Sequence, residues 1–342
     1  MNLGKAFEIP VNAKLPLFPD AELPALFRAA DRTSMEAQRI YVRLAFLNFA
    51  LMVLVAAIGL LGTWHKAHQP QWLPARPETV REIIAITSAG VFLAGIVLTL
   101  LLRVLHYARV WYDGRALAES IKTLAWRYMA GAEPFGKDLT DTQADENFLN
   151  HLAQLRRRHE NLARYMEMTA DLGPQITPRM REVRAKDTNS RLEFYITHRL
   201  NDQRLWYARK ASGSRAAARR WIGLIVVSQT AGALSALARA VVTDLPYEFS
   251  GLFASLAAAF LGWLQLRRHQ ELSQAYNLAT LDLNEVAEHA TRIKGEKELG
   301  DYVNDAENAM SREHIAWLAR QRNQWRLPQS QPTERVVLPV QV

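Results

Sequence analysis

The chain contains no cysteine, which excludes a disulfide framework, a thiolate metal site and a cysteine nucleophile. Catalytic signatures are missing as well, with neither a nucleophile elbow nor a paired-glycine fingerprint in the sequence. The nearest approach to a phosphate loop is "GAEPFGKD" from Gly131, which supplies Gly136 and Lys137 but has Asp138 where a Mg²⁺-binding hydroxyl belongs. It also follows a predicted helix, whereas a phosphate loop needs a strand to aim its amides. His151 and His159 stand eight apart with no carboxylate at metal spacing between them, and "REHIAW" from Arg312 has one histidine where a zinc helix needs two. The expectation is therefore no enzyme, no catalytic residue, no cofactor and no metal site. The N-terminus, "MNLGKAFEIPVNAKLPLFPDAELP", has no charged head followed by an apolar block, so no cleavable signal is expected.

Charge is missing from four long runs, and there the informative residues lie. Leu44 to Trp64 holds 21 residues without a charge, Ile83 to Leu102 holds 20, and Trp221 to Ala238 and Phe249 to Leu266 hold 18 each. A span needs about 20 mostly apolar residues, since each adds ~1.5 Å toward ~30 Å of hydrocarbon. Two runs suffice alone, and four together are rare in a soluble chain of 342 residues. The predicted fold is an all-α membrane protein with four transmembrane helices, arranged as two hairpins with long amphipathic cytoplasmic helices.

The formal charge of +8 is concentrated outside these runs. Arg28, Arg32, Arg39 and Arg43 precede the first span, Arg103 and Arg109 follow the second, Arg209, Lys210, Arg215, Arg219 and Arg220 precede the third, and Arg267 and Arg268 follow the fourth. The hairpin loops are poorer in net positive charge, so both termini and the middle segment are predicted to be cytoplasmic. Trp64, Trp72, Trp221 and Tyr247 fall near the inferred interfaces, where amphipathic rings settle. The basic arm "RLWYARKASGSRAAARRW" would suit a nucleic acid were it not directly against a span. There its cations meet anionic headgroups, and nucleic acid is the disfavoured partner.

The two halves repeat. Each reads as a basic arm, a span, an outer loop, a span and a long cytoplasmic helix, and a shift of 164 places Arg103 on Arg267 and Tyr112 on Tyr276. From Arg103 to Tyr128, apolar residues at three- and four-residue steps predict one helix continuing span two. Phe148, Leu152, Leu155, His159, Leu162, Met166 and Thr169 predict a coiled seam for contacts between chains. Pro178 breaks the pattern, Ser190 with Glu193 looks like a capping box, and the proline-bearing tail from Leu327 is predicted to be disordered.

Polar residues interrupt the third run. Ser228, Gly232, Ala236 and Ala240 form a four-spaced ridge, matched by Gly251, Ser255 and Ala259 on the fourth, and such ridges allow close helix approach. Gln229 lies beside the ridge. Two readings stand: interhelical hydrogen bonding, or a pore lining with Gln229, Thr230 and Arg239 at its mouth. An aqueous path would need several chains around an axis, hence a symmetric homo-oligomer.

The ordered set of two spans, "WYDGRALAESIKTLAWRYMAG" from Trp111, "RLNDQRLWYARKASGSR" before the next pair and "AENAMSREHIAWLARQR" from Ala306 resembles the SLATT family. Its members are two-span effectors of bacterial conflict systems, associated with nucleotide signalling and SLOG sensors. The resemblance implies a tandem form: an N-terminal segment at 1–30, one unit over 31–135, a helical linker over 136–189, a second unit over 190–326 and a tail at 327–342. It implies a pore-forming or membrane-disrupting effector in antiphage immunity that arrests growth at the bacterial inner membrane. No sensor domain accompanies it in this chain, so the expected trigger is a partner sensor protein or a nucleotide second messenger. Trp111, Arg115, Glu119, Lys122 and Trp126 occupy the family's post-span pattern, and Glu307, Glu313, His314 and Trp317 its C-terminal one. A structural role is favoured for these, with Glu119 and Lys122 as an i,i+3 pair and the tryptophans packing helices. The alternative to a pore is a non-conducting scaffold that gathers cytoplasmic partners at the bilayer.

Overall fold

The computed structural model describes residues 18–67, 77–166, 173–242 and 249–325, and every regular element among them is helical. The first half contributes α1 (Ala25–Ala67), α2 (Pro77–Val104) and α3 (Tyr107–Ala130), and the second contributes α7 (Asn201–Val241), α8 (Ser250–Arg267) and α9 (His269–His289). Between them lie α4 (Asp141–Arg158), α5 (Pro178–Ala185) and α6 (Thr188–Tyr195), and α10 (Glu296–Trp325) follows. Three stretches, Ala25–Thr63, Thr79–Ala130 and Thr188–Val241, are long and apolar enough to cross a membrane. The sequence predicts four. The remaining candidate, α8, is 18 residues long, about 27 Å, and carries Gln265 and Arg267 in its last turn, so it falls short of the other three.

Burial is inverted between two layers. In the apolar layer α2 packs on α1, α1 on α8 and α8 on α7, with Phe46 edge-on to Trp263 at 5.6 Å and Trp221 6.1 Å from Trp263. The outward side chains here, including Ile86, Phe92, Val97, Val227 and Leu234, are exposed. In the polar layer, Leu117, Ile121, Trp126, Tyr128, Phe135 and Phe148 are buried in one cluster that also takes Leu283, Leu299 and Val303 from the second half. Exposed apolar surface is costly in water and costless against lipid tails, so the sequence assigns its two layers to two solvents.

The helix predicted to continue span two is interrupted. It stops at Val104 and restarts at Tyr107, with His106 in the left-handed region at φ 52°, and Arg268 separates α8 from α9 in the same way at φ 47°. A non-glycine residue there costs ~1–2 kcal/mol, and the cost is met twice at equivalent places. What each break achieves is packing: the helix after it lies against the arm before the first span of its half. In the first half Ser34 Oγ donates to Trp111 O at 2.9 Å and Tyr41 packs 6.3 Å from Trp111. In the second, Ser273 Oγ donates to Ala211 O at 3.0 Å and Trp206 packs 5.4 Å from Tyr276. The repeat in the sequence is thus a repeat in three dimensions.

Other boundaries follow from local chemistry. Gly131, at φ 71°, ends α3, and Ala132 N–H donates back to Arg127 O at 2.9 Å, closing the helix. Thr140 and Gln143 form a capping box that opens α4, and Thr177 caps α5 with Pro178 in its first turn. The capping box predicted at Ser190 and Glu193 is not used: Asp187 caps α6, accepting from Ser190 N–H at 3.1 Å and from its hydroxyl at 2.6 Å. A carboxylate at an extended backbone position reaches the free N–H groups first. The coiled seam is also corrected. The α-helix ends at Arg158, and Glu160–Tyr165 is a 3₁₀ turn, while Phe148, Leu152 and Leu162 are buried in the chain's own core. Phe148 packs on Tyr128 and Phe135, so this face of α4 is taken up within the protomer; Thr169 lies outside the described residues.

Gly131 permits a direct check. A Cβ there would stand 2.6 Å from Arg191 Nη1 and 2.9 Å from Lys137 Cγ in a conformation that disfavours side chains. Gly131→Ala is expected to cost at least ~1–2 kcal/mol, read as a lower unfolding midpoint of the purified protein in detergent.

Candidate functional site

Three arginines are almost wholly buried in the polar layer: Arg184 at 1%, Arg191 at 1% and Arg199 at 2% exposure. Two of them close the C-terminus of α3, where free carbonyls and the helix dipole favour cations. Arg184 donates to Tyr128 O at 3.2 Å, Phe135 O at 2.7 Å and Gly136 O at 3.2 Å. Arg191 donates to Ala130 O and pairs with Glu296 of α10. Lys137 lies alongside, its Nζ 3.3 Å from Arg184 O, and burial together with the two guanidiniums holds its pKa below the usual lysine value. This is the segment "GAEPFGKD" that imitates a phosphate loop. Its carbonyls face guanidiniums, and a helix precedes it.

The third arginine meets a carboxylate. Arg199 sits on a π-helical turn, Ile196–Leu200, between α6 and α7. The wider turn shifts the facing of the helix, so that α6 packs on α3 and α10 while α7 packs on α9. Arg199 Nε and Nη2 each donate to the Glu307 carboxylate at 2.8 Å, a bidentate pair. Tyr195 donates its hydroxyl to Glu307 Oε1 at 3.0 Å and Thr123 donates to Oε2 at 2.8 Å. Glu307 is 0% exposed, and all four of its contacts are donors. Burial opposes the Arg199 charge, but the facing carboxylate more than offsets it and holds the guanidinium above its ordinary value. Burial and the same carboxylate push the Tyr195 hydroxyl well above the usual tyrosine range. Nothing here offers a proton to solvent. The arrangement can fasten α3 of the first half to α10 of the second.

The residues expected in the spans divide between two faces. Ser228 is buried, and a Cβ on Gly232 would lie 3.3 Å from Phe253 Cβ, so both face α8. Gln229 and Thr230 are exposed, as are Arg239 on α7 and Gly251 on α8. Ser255 is half-buried, its hydroxyl donating to Gly251 O at 2.9 Å. The four-spaced ridges do not stay on one face. Four residues turn a helix by ~400°, so each step drifts by ~40°, and Ala236 and Ala240 are exposed.

Of the family-pattern residues, Trp126 is buried against Phe18, Phe194 and Tyr195, and Trp111 stacks on Tyr112 at 4.7 Å. The predicted Glu119 and Lys122 pair is not formed. Arg115, one turn before, takes Glu119 at 2.5 Å and also reaches Asp31 at 3.4 Å. Lys122 turns to Asp20 at 3.8 Å and to the ring of Phe27. Glu119 is thus taken by Arg115, and Lys122 by Asp20 and Phe27. Of the C-terminal set, Glu307 is the buried carboxylate described above; the side chains of Glu313, His314 and Trp317 on α10 lie outside the described part.

Sequence reasoning missed Arg184, Arg191 and Arg199. The only local signal was their position just after a helix-breaking segment, where cations have free carbonyls to meet.

Two family models match the chain. Residues 24–192 match the model described as SMODS and SLOG-associating 2TM effector domain 3, and residues 195–317 match SMODS and SLOG-associating 2TM effector domain 1. No curated protein and no solved structure matches.

Proposed function

Because the chain belongs to the SLATT family, with two such effector domains in tandem, we propose that it is an oligomeric pore of the bacterial inner membrane, opened by a partner or a ligand. Opening depolarises the membrane and arrests growth in an antiphage or conflict response. In this reading α8 is a fourth span, held in a hairpin with α7, and the arginine-rich ends of all four helices keep the polar layer and both termini in the cytoplasm.

The observation that carries the reading is the outward position of Gln229 and Thr230. They stand at the middle of an 18-residue run without charge, on the exposed surface of α7. A carboxamide facing hydrocarbon is costly, so this face belongs against water or against another chain. Several copies around an axis supply both. Gating then requires two arrangements of the polar-layer helices that a trigger favours unequally.

The test is expression in bacteria, alone and with candidate sensor proteins, while membrane potential is followed with a voltage-sensitive dye. Collapse of the potential ahead of growth arrest is the expected result. Arrest with the potential intact sinks the pore and leaves the non-conducting scaffold.

A further inference from the structure

Two helix faces of the polar layer, on α4 and α9, are exposed. There α4 packs on α3, α3 on α10, and α9 on both α10 and α7. On α9, Gln274, Leu278, Leu281, Glu285 and Glu288 recur at alternating four- and three-residue steps and are all exposed. Leu278 and Leu281 are 61% and 65% exposed, the most open leucines outside the spans among the described residues. This stripe keeps heptad spacing and has no partner among the described residues. On α4, Leu149, Ala153 and Arg156 form a stripe of the same kind, with Leu149 46% exposed and Arg157 beside it.

The two faces match in charge and spacing. Glu285 and Glu288 on one, and Arg156 and Arg157 on the other, are exposed and make no ion pair among the described residues. On each helix the charge stands seven residues after a leucine, from Leu278 to Glu285 and from Leu149 to Arg156, about 10.5 Å along the axis.

We propose that the Leu278, Leu281, Glu285 and Glu288 face of α9 docks on the Leu149, Arg156 and Arg157 face of α4 in a second copy of this chain. The two faces differ, so the contact is heterologous, and repeating it builds a ring where the rotation closes. The leucines lose their exposure and the charges their isolation. The inference rests on the homo-oligomeric reading above and names the surfaces that build the oligomer.

Mass photometry of the full chain in nanodiscs tests it through charge reversal. Glu285→Arg with Glu288→Arg is expected to shift the wild-type oligomer to monomers, as is Arg156→Glu with Arg157→Glu. All four substitutions in one chain are expected to restore the oligomer, which a folding defect would not allow. Reversed chains that keep the wild-type mass, or a fourfold variant that stays monomeric, overturn the docking while leaving oligomerisation intact. A wild-type monomer overturns both.

Discussion

Replacing Glu307 with alanine is expected to lower the stability of the folded protein by about 3–5 kcal/mol. Against a typical total of ~5–15 kcal/mol this is a large fraction. The reason is the environment of Arg199, not the strength of a salt bridge as such. A guanidinium at 2% exposure would lose the two charge-assisted bonds that neutralise it, and the Tyr195 and Thr123 hydroxyls would lose their acceptor. Removing both charges together is different. Arg199→Met with Glu307→Leu keeps volume and leaves no orphaned ion, so it is expected to fall within about 1–2 kcal/mol of wild type, because burying a paired charge is itself costly. Glu307→Gln is expected to lie between, keeping one acceptor oxygen but losing the charge and the second acceptor. Denaturant unfolding in detergent, run as a double-mutant cycle, measures the coupling. A Glu307→Ala protein as stable as wild type would show that the pair holds nothing together.

The second large effect is expected at Gln229. In the pore reading Gln229→Leu exchanges a wetted carboxamide for an apolar side chain at the middle of the conducting path, and hydrophobic constrictions close by dewetting. Unit conductance is therefore expected to fall sharply while the oligomer persists. If Gln229 instead bonds to a helix of the next copy, the substitution weakens association by only ~0.6–2 kcal/mol, and current through the surviving oligomers is unchanged. Ser228→Ala is the control. Ser228 faces α8 within the same protomer, so conductance is expected to hold.

Much of the fold was legible in the sequence because its signals are local. Runs without charge from Leu44 and Ile83, apolar steps along Tyr107–Ala130 and the repeat of Arg103 on Arg267 each need only neighbouring residues. What was not legible depends on partners far along the chain. Arg199 and Glu307 are 108 positions apart, and neither periodicity nor composition marks either as buried. The breaks at His106 and Arg268 carry no glycine or proline, the usual punctuation for a left-handed turn, and are imposed by packing of the helix that follows. The seam from Phe148 failed for a related reason: its apolar spacing was real, but Tyr128 and Phe135 of the same chain satisfy it. In the spans, spacing found the small ridge but not its facing, and only the placement of α8 separates Ser228 and Gly232 from Gln229 and Thr230.

Ionic current across a planar bilayer tests the central claim most directly, using purified wild-type protein and Gln229→Leu, each alone and with sensor protein or nucleotide added. The account predicts discrete conductance steps from the wild type that shrink with the substitution. A silent bilayer from folded, oligomeric protein under every condition would contradict it and leave the polar face of α7 as a surface for helix packing.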